Sequence, residues 1–231
     1  MKTIKIFAAL LVLAITTTIT VAQDKTEVRK ATGFSSIDVN EGIRVELTYG
    51  DKEFVEVTAD KEYIDRVMTE VSGGELNIYM KGNNWNNWNK KVLVKVTAVE
   101  IDKIDVSSGA SVISQNLIES DNLDMSVSSG AAIKIAFKAP KASCDASSGG
   151  AAKLKGVAKF FDTQASSGSS IHASEVKAVK VNADVSSGAS ISVYAEDELE
   201  AEASSGGTIK YSGSPKMVDI DKSSGGSVRK K

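Results

Sequence analysis

Val185-Ser186-Ser187-Gly188-Ala189-Ser190-Ile191 is the stretch on which the fold turns. Its central Ser-Ser-Gly recurs through the second half of the chain, with copies ending at Gly109, Gly130, Gly149, Gly168, Gly188, Gly206 and Gly225. Successive copies lie 21, 19, 19, 20, 18 and 19 residues apart. A period near 20 marks a solenoid, in which each repeat is one coil and the coils stack.

Aligning the copies on the glycine exposes columns. Three residues before it stand Val106, Val127, Ala146, Ala165, Val185, Ala203 and Lys222. Three after it stand Val112, Ile133, Ala152, Ile171, Ile191, Ile209 and Val228. Apolar and polar residues alternate on both sides, which is the period of a half-buried strand and not of a helix. Glycine between two strands reads as a bend with positive φ, where a Cβ would cost about 1–2 kcal/mol. Such a coil has room for three short strands and three bends. Equivalent strands of neighbouring coils would pair in parallel about 4.8 Å apart. The expected fold is all-β, a parallel β-helix whose serines stack in hydrogen-bonded ladders along the bend. Catalytic serines do not fit this pattern. A triad needs one base against one serine, and the single histidine, His172, occurs in one coil.

The rest of the chain is read outward from the repeat. Residues 1–22 read as a secretory signal peptide: Lys2 and Lys5, an apolar run from Ile6 to Ile15, then Thr20-Val21-Ala22 as a small-residue cleavage site. The apolar run is too short for a membrane span. Cleavage would take the net charge from −2 to −4, which argues against nucleic acid or anionic lipid as the main partner. The one cysteine, Cys144, falls in an inward column and can form no disulfide within the chain. No cofactor motif is present.

Residues 23–33 read as a lead-in and 34–100 as a divergent all-β region before the solenoid proper, 101–231. In Ser36 to Leu47 the repeat survives in altered form, with Ile37, Val39 and Val45 at apolar sites and Gly42 at the bend. Asp60 to Arg66 reads as a short helix. Val92 to Val96 reads as a strand leading into the solenoid, and this region is expected to cover its open end.

Lys81 to Lys90 is a polar, Asn-rich loop holding both tryptophans, Trp85 and Trp88. One reading folds the rings onto the adjacent sheet. The other makes Trp85 and Trp88, with Asn84, Asn86 and Asn87, a platform for a sugar, because ring faces beside amides suit its apolar faces and hydroxyls.

Two solenoid surfaces carry opposite charge. Positions four and six before the glycines hold acids such as Asp105, Asp124, Asp145, Asp162 and Asp184. Positions four or five after hold Lys134, Lys153, His172, Lys210, Arg229 and Lys230. The acids read as a solvated face that keeps the stack soluble. Divalent-cation binding is the other reading, but no Asp-x-Asp-x-Asp-Gly loop is present.

Three stretches carry a family resemblance: Val185 to Ile191, the opening Phe34-Ser35-Ser36-Ile37-Asp38-Val39, and Gly207-Thr208-Ile209-Lys210-Tyr211-Ser212-Gly213-Ser214-Pro215. From about Phe34 onward the chain resembles the putative auto-transporter adhesin, head-GIN domain family of secreted bacterial proteins. The resemblance implies a right-handed parallel β-helix similar to the pectin-lyase-like solenoids. It implies no catalytic motif. The expected function is therefore non-enzymatic, adhesin-like binding at the cell envelope or outside it, with a cell-surface glycan or protein as partner. A polysaccharide-degrading enzyme, a structural envelope protein and an ice-binding solenoid are the alternatives. An enzyme would single out a few carboxylates in one cleft, whereas here the acids follow the repeat.

Overall fold

The computed structural model describes residues 24–82 and 91–231. The chain opens with β1 (Asp24–Arg29), β2 (Ser36–Val39), β3 (Arg44–Tyr49), β4 (Phe54–Asp60), β5 (Val67–Ser72), β6 (Glu75–Met80) and β7 (Leu93–Ala98). It continues with β8 (Lys103–Val106), β9 (Ser111–Glu119), β10 (Asn122–Val127), β11 (Ala132–Ala146), β12 (Ala151–Ala165), β13 (Ser170–Val185) and β14 (Ser190–Ala203). It closes with β15 (Thr208–Gly213), β16 (Met217–Lys222) and β17 (Ser227–Lys230). The expected helix over Asp60 to Arg66 reduces to one 3-10 turn, Ile64–Arg66, because β4 holds the chain extended through Asp60.

The fold is a β-solenoid. From β8 onward, the strands pair in parallel with their equivalents one coil away, with register shifts at the corners. Val112 pairs with Ile133, Ile133 with Ala152, Ala152 with Ile171, and Ile171 with Ile191. This stack of side chains is buried at every level. A second inward stack runs from Ile104 through Met125, Cys144, Thr163 and Ala183 to Ala201. Fully burying each large aliphatic side chain stabilises by about 1.5–3 kcal/mol, and the ladder repeats that gain coil by coil. Burial pushes the Cys144 thiol up, and the Asp145 carboxylate beside it adds to the effect.

β11 to β14 each run 14 to 16 residues without a break and still turn two further corners. At a corner the alternation slips and two outward residues follow each other, as at Pro140-Lys141 and Ser174-Glu175. The Phe137 and Phe161 rings are fully buried in the interior, their centroids 6.2 Å apart.

The N-terminal region departs from chain order. β2 and β3 form a coil that lies between β6–β7 on one side and β8–β9 on the other. β7 therefore does not lead directly into the solenoid; β3 separates it from β9. Beyond this outermost level the pairing turns antiparallel: β4 joins β7, β1 joins β4, and β5 joins β6. These strands close one end of the stack. At the other end β16 and β17 form the edge, where Asp219, Asp221, Arg229 and Lys230 oppose edge-to-edge growth.

Candidate functional site

Each Ser-Ser-Gly is a type I′ turn. The second serine has φ between +46° and +53°, and the glycine between +69° and +78°. The residue after the glycine donates its N–H to the carbonyl of the first serine at 2.8–3.2 Å, from Ala110 to Ser107 through Gly226 to Ser223. Asn40-Glu41-Gly42-Ile43 repeats this turn in the β2–β3 coil, with both Glu41 and Gly42 at positive φ. The structure thus places Gly42, Gly109, Gly130, Gly149, Gly168, Gly188, Gly206 and Gly225 in one column. The turns are tied by backbone: from Gly42 to Gly206 each glycine N–H donates to the second serine of the next coil, as from Gly188 to Ser205 at 3.1 Å. The expected hydroxyl ladder is not what links them. Among the described residues, Ser107 bonds Asn40 across coils, and Ser169 turns inward to donate to the Ala146 carbonyl at 2.8 Å. The other serine hydroxyls of this column face outward.

The acidic wall lies just before the turns. Its carboxylates are staggered. Asp105 stacks on Ser126, Asp124 on Ser143, Asp145 on Gln164, and Asp162 on Asn182. From Asp105 to Asp184 the acids of successive coils therefore sit diagonally, which spares that part of the ladder a like-charge penalty, whereas Asp38 faces Asp105 directly and Glu200 faces Asp219. Ser143 donates to Asp124 at 2.8 Å. Burial, with the Asp124 and Asp162 carboxylates nearby, holds the Asp145 carboxyl above the usual aspartate range. Among the described residues no group of His, Cys, Asp or Glu is placed to hold a metal ion.

Where this wall meets the corner, an open groove of about 480 Å³ runs along the stack. Two rails define it. The outer rail is Asn122, Lys141, Phe160, Lys180 and Glu198, each in register with the next. The inner rail is Asp124, Ser143, Asp162, Asn182 and Glu200, in the same register. Ala142, Phe161 and Val181 form the floor. Phe160 is half-buried, with the Lys159 ammonium 5.2 Å from its ring centre. Lys180 and Glu198 close an ion pair of 2.5 Å between neighbouring coils. Asn122 donates to Asp124 at 3.3 Å and links the rails. A trough about five strands long, near 19 Å, with a ring, amides, hydroxyls and both signs of charge can hold an extended polar chain.

Sequence reasoning named the inner rail as a solvated acidic face and missed the outer rail. That rail is legible in the column eight residues before each glycine. Its members differ in chemistry, so no repeat announces them. Trp85, Trp88, Asn84, Asn86 and Asn87 lie outside the described residues. The flanks of their segment are placed: Met80 donates to Glu41 Oε2 at 2.5 Å, and Arg44 donates to the Val92 carbonyl at 3.1 Å. Residues 83–90 thus connect strand ends that abut the turn at Glu41-Gly42.

Comparison with known proteins agrees with this architecture. A family model described as putative auto-transporter adhesin, head GIN domain, matches residues 33–215. No curated protein matches the chain. The crystal structure of a putative adhesin from Bacteroides fragilis NCTC 9343 is similar, with TM-score 0.84 and 20% identity over 90% of this chain and 97% of that one. A putative adhesin from Parabacteroides merdae ATCC 43184 gives TM-score 0.72 and 19% identity over 90% and 96%. A putative lipid binding protein from Parabacteroides distasonis ATCC 8503 gives TM-score 0.68 and 22% identity over 90% and 96%. At these identities the likeness is one of fold.

Proposed function

This chain belongs to the putative auto-transporter adhesin, head GIN domain family, and from that premise we propose that it is an exported, non-catalytic binding protein of adhesin type whose ligand is a cell-surface glycan. The observation that carries the glycan reading is the two-railed groove. A sugar chain needs a ring face to stack on and planar amides or carboxylates to bond its hydroxyls. Phe160 offers the first, and Asn122, Asp162 and Asn182 offer the second. The groove lies along the direction in which the coils stack, so successive sugars would meet successive coils. Trp85 and Trp88, with Asn84, Asn86 and Asn87, are proposed as a further contact for the same ligand.

Catalysis is the weaker reading. The groove acids follow the repeat: Asp124 accepts from the Asn122 amide and the Ser143 hydroxyl, and Glu198 is held by Lys180, so no carboxylate is set apart for acid–base work. A glycan-array screen of the exported chain tests the proposal, with cell fractionation to place it. Phe160→Ala should weaken the best-binding glycan by about tenfold, the size expected for one stacking anchor. Trp85→Ala with Trp88→Ala should weaken it as well while circular dichroism stays that of the wild type. Unchanged binding in Phe160→Ala would overturn the groove, and unchanged binding in the tryptophan pair would overturn their role.

A further inference from the structure

The wall that follows the turns carries one outward column through the whole stack. From the N-terminal end it reads Glu56, Lys95, Glu46, Ile113, Lys134, Lys153, His172, Ser192, Lys210, Arg229. Its two halves obey different rules. In the first half the signs alternate and the cations are paired: Lys95 with Glu56 at 3.1 Å, and Arg44 with Glu46 at 3.4 Å. From Lys134 onward no acid appears. Lys134 stacks directly on Lys153, and Lys153 on His172; Lys210 stacks directly on Arg229. Among the described residues none of these side chains has an ion-pair partner.

Like charges directly opposite each other in a ladder are destabilising. The acidic wall avoids that arrangement by stagger from Asp105 to Asp184, and the first half of this column avoids it by alternation. The second half holds the unfavourable arrangement twice, Lys134 on Lys153 and Lys210 on Arg229, in an otherwise acidic protein. The column ends in an open groove of about 450 Å³, to which His172, Ser192, Lys210, Tyr211, Arg229 and Lys230 contribute and no acidic side chain does. Beside it run the half-exposed hydroxyls of Ser170, Ser190, Thr208 and Ser227.

We propose that this column is a second binding site, distinct from the corner groove, for a linear polysaccharide carrying carboxylate or sulfate groups. The polymer lies parallel to the stack, its anionic groups meeting the cations and its hydroxyls meeting the serine and threonine row. Neighbouring cations are one coil apart, about 4.8 Å, and an extended chain of linked sugars advances by a similar step per ring. The site is a single file. A membrane surface would engage a broad basic patch with apolar side chains to insert, and none of the exposed large apolar residues lies on this wall between β11 and β17. Single-stranded nucleic acid would want a row of aromatic platforms, and this groove holds one half-buried tyrosine, Tyr211.

The test is titration of the exported chain with polygalacturonate, dextran sulfate, neutral dextran and phosphatidylglycerol vesicles, at low and high salt. Binding to either acidic polymer, weakened by salt and absent for neutral dextran, is expected; which polymer binds tells carboxylate from sulfate recognition. Lys134→Gln with Lys153→Gln, and separately Lys210→Gln with Arg229→Gln, should each weaken it by about tenfold. All four positions are outward, so folding should survive, and circular dichroism checks it. Phe160→Ala should leave polymer binding intact, which separates this site from the groove. Four results would overturn the proposal: no polyanion bound at low salt, equal affinity in both charge variants, binding to vesicles alone, or loss of polymer binding in Phe160→Ala.

Discussion

Gly156 lies directly against Phe137 of the preceding coil: a Cβ built on Gly156 would stand 1.8 Å from the Phe137 carbonyl oxygen. Its φ is +149°. Backbone cannot yield here without moving the ladder on both sides. Gly188, in the turn column, differs: its φ is +69° but nothing lies within 4 Å of an added Cβ. Gly156→Ala should therefore cost about 3 kcal/mol or more through overpacking, and Gly188→Ala about 1 kcal/mol through the left-handed backbone alone. Urea denaturation of the two variants checks the ranking. Equal losses would mean that the corner relaxes more easily than the geometry indicates.

The turn itself holds a prediction of the opposite sign. Ser187 has φ of +51° immediately before Gly188. A type I′ turn prefers Asn-Gly at its two central positions, because asparagine tolerates the left-handed region better than serine. Ser187→Asn should stabilise by about 0.5 kcal/mol, and Ser187→Val should destabilise by about 1–2 kcal/mol. Gly188→Val should cost about 1–3 kcal/mol, and Gly225→Val less. Gly188 N–H bonds Ser205 in the next coil, whereas Gly225 N–H makes no such bond among the described residues. Thermal melts should place Ser187→Asn above the wild type, Ser187→Val below it, and Gly188→Val below Gly225→Val.

These two glycines also show what could be read from residues alone. Gly188 was legible because its turn chemistry is local and returns in every coil. Gly156 was not, because only Gly213 shares its situation, and the next coil turns that corner with Ser174-Glu175. The inward columns were legible from alternation, down to Cys144 and Thr163 in one stack. The placement of β6 and β7 outside the β2–β3 coil was not, since it depends on pairings between segments forty residues apart that no periodicity records. Both rails of the groove combine residues of different chemistry one coil apart, so register had to be known before the site could be seen.

The acidic wall should behave as a solvated face. Its carboxylates stack directly where Asp38 meets Asp105 and near the C-terminal end, where Glu200 meets Asp219 and Asp184, Glu202 and Asp221 follow one another. With no metal-holding cluster among the described residues, millimolar Ca²⁺ should raise the melting temperature by no more than about 1–2 °C, as weak binding implies by mass action. A larger, saturable shift that Asp184→Asn abolishes would show that these stacked carboxylates hold an ion.

Asp145 makes the same wall sensitive to pH. Burial raises its folded-state pKa above the ordinary aspartate value of 3.8, and the Asp124 and Asp162 carboxylates push in the same direction. The folded protein therefore binds this proton more tightly than the unfolded chain does. Stability from the neutral form is fully present below pH 3.8 and is lost as pH rises through the raised folded value. Once pH has risen past the raised folded value the group is ionised in both states, and its charge works against the fold. Asp145→Asn keeps a neutral side chain of the same shape at every pH. It should melt higher than the wild type at pH 7, and the difference should shrink as the pH falls and vanish once Asp145 is protonated in both states. Asp162→Asn removes one of the two neighbouring charges, so added to Asp145→Asn it should not restore any pH-dependent gap. A variant difference that stays constant from pH 3 to pH 7 would locate the effect of Asp145 in packing and not in its charge.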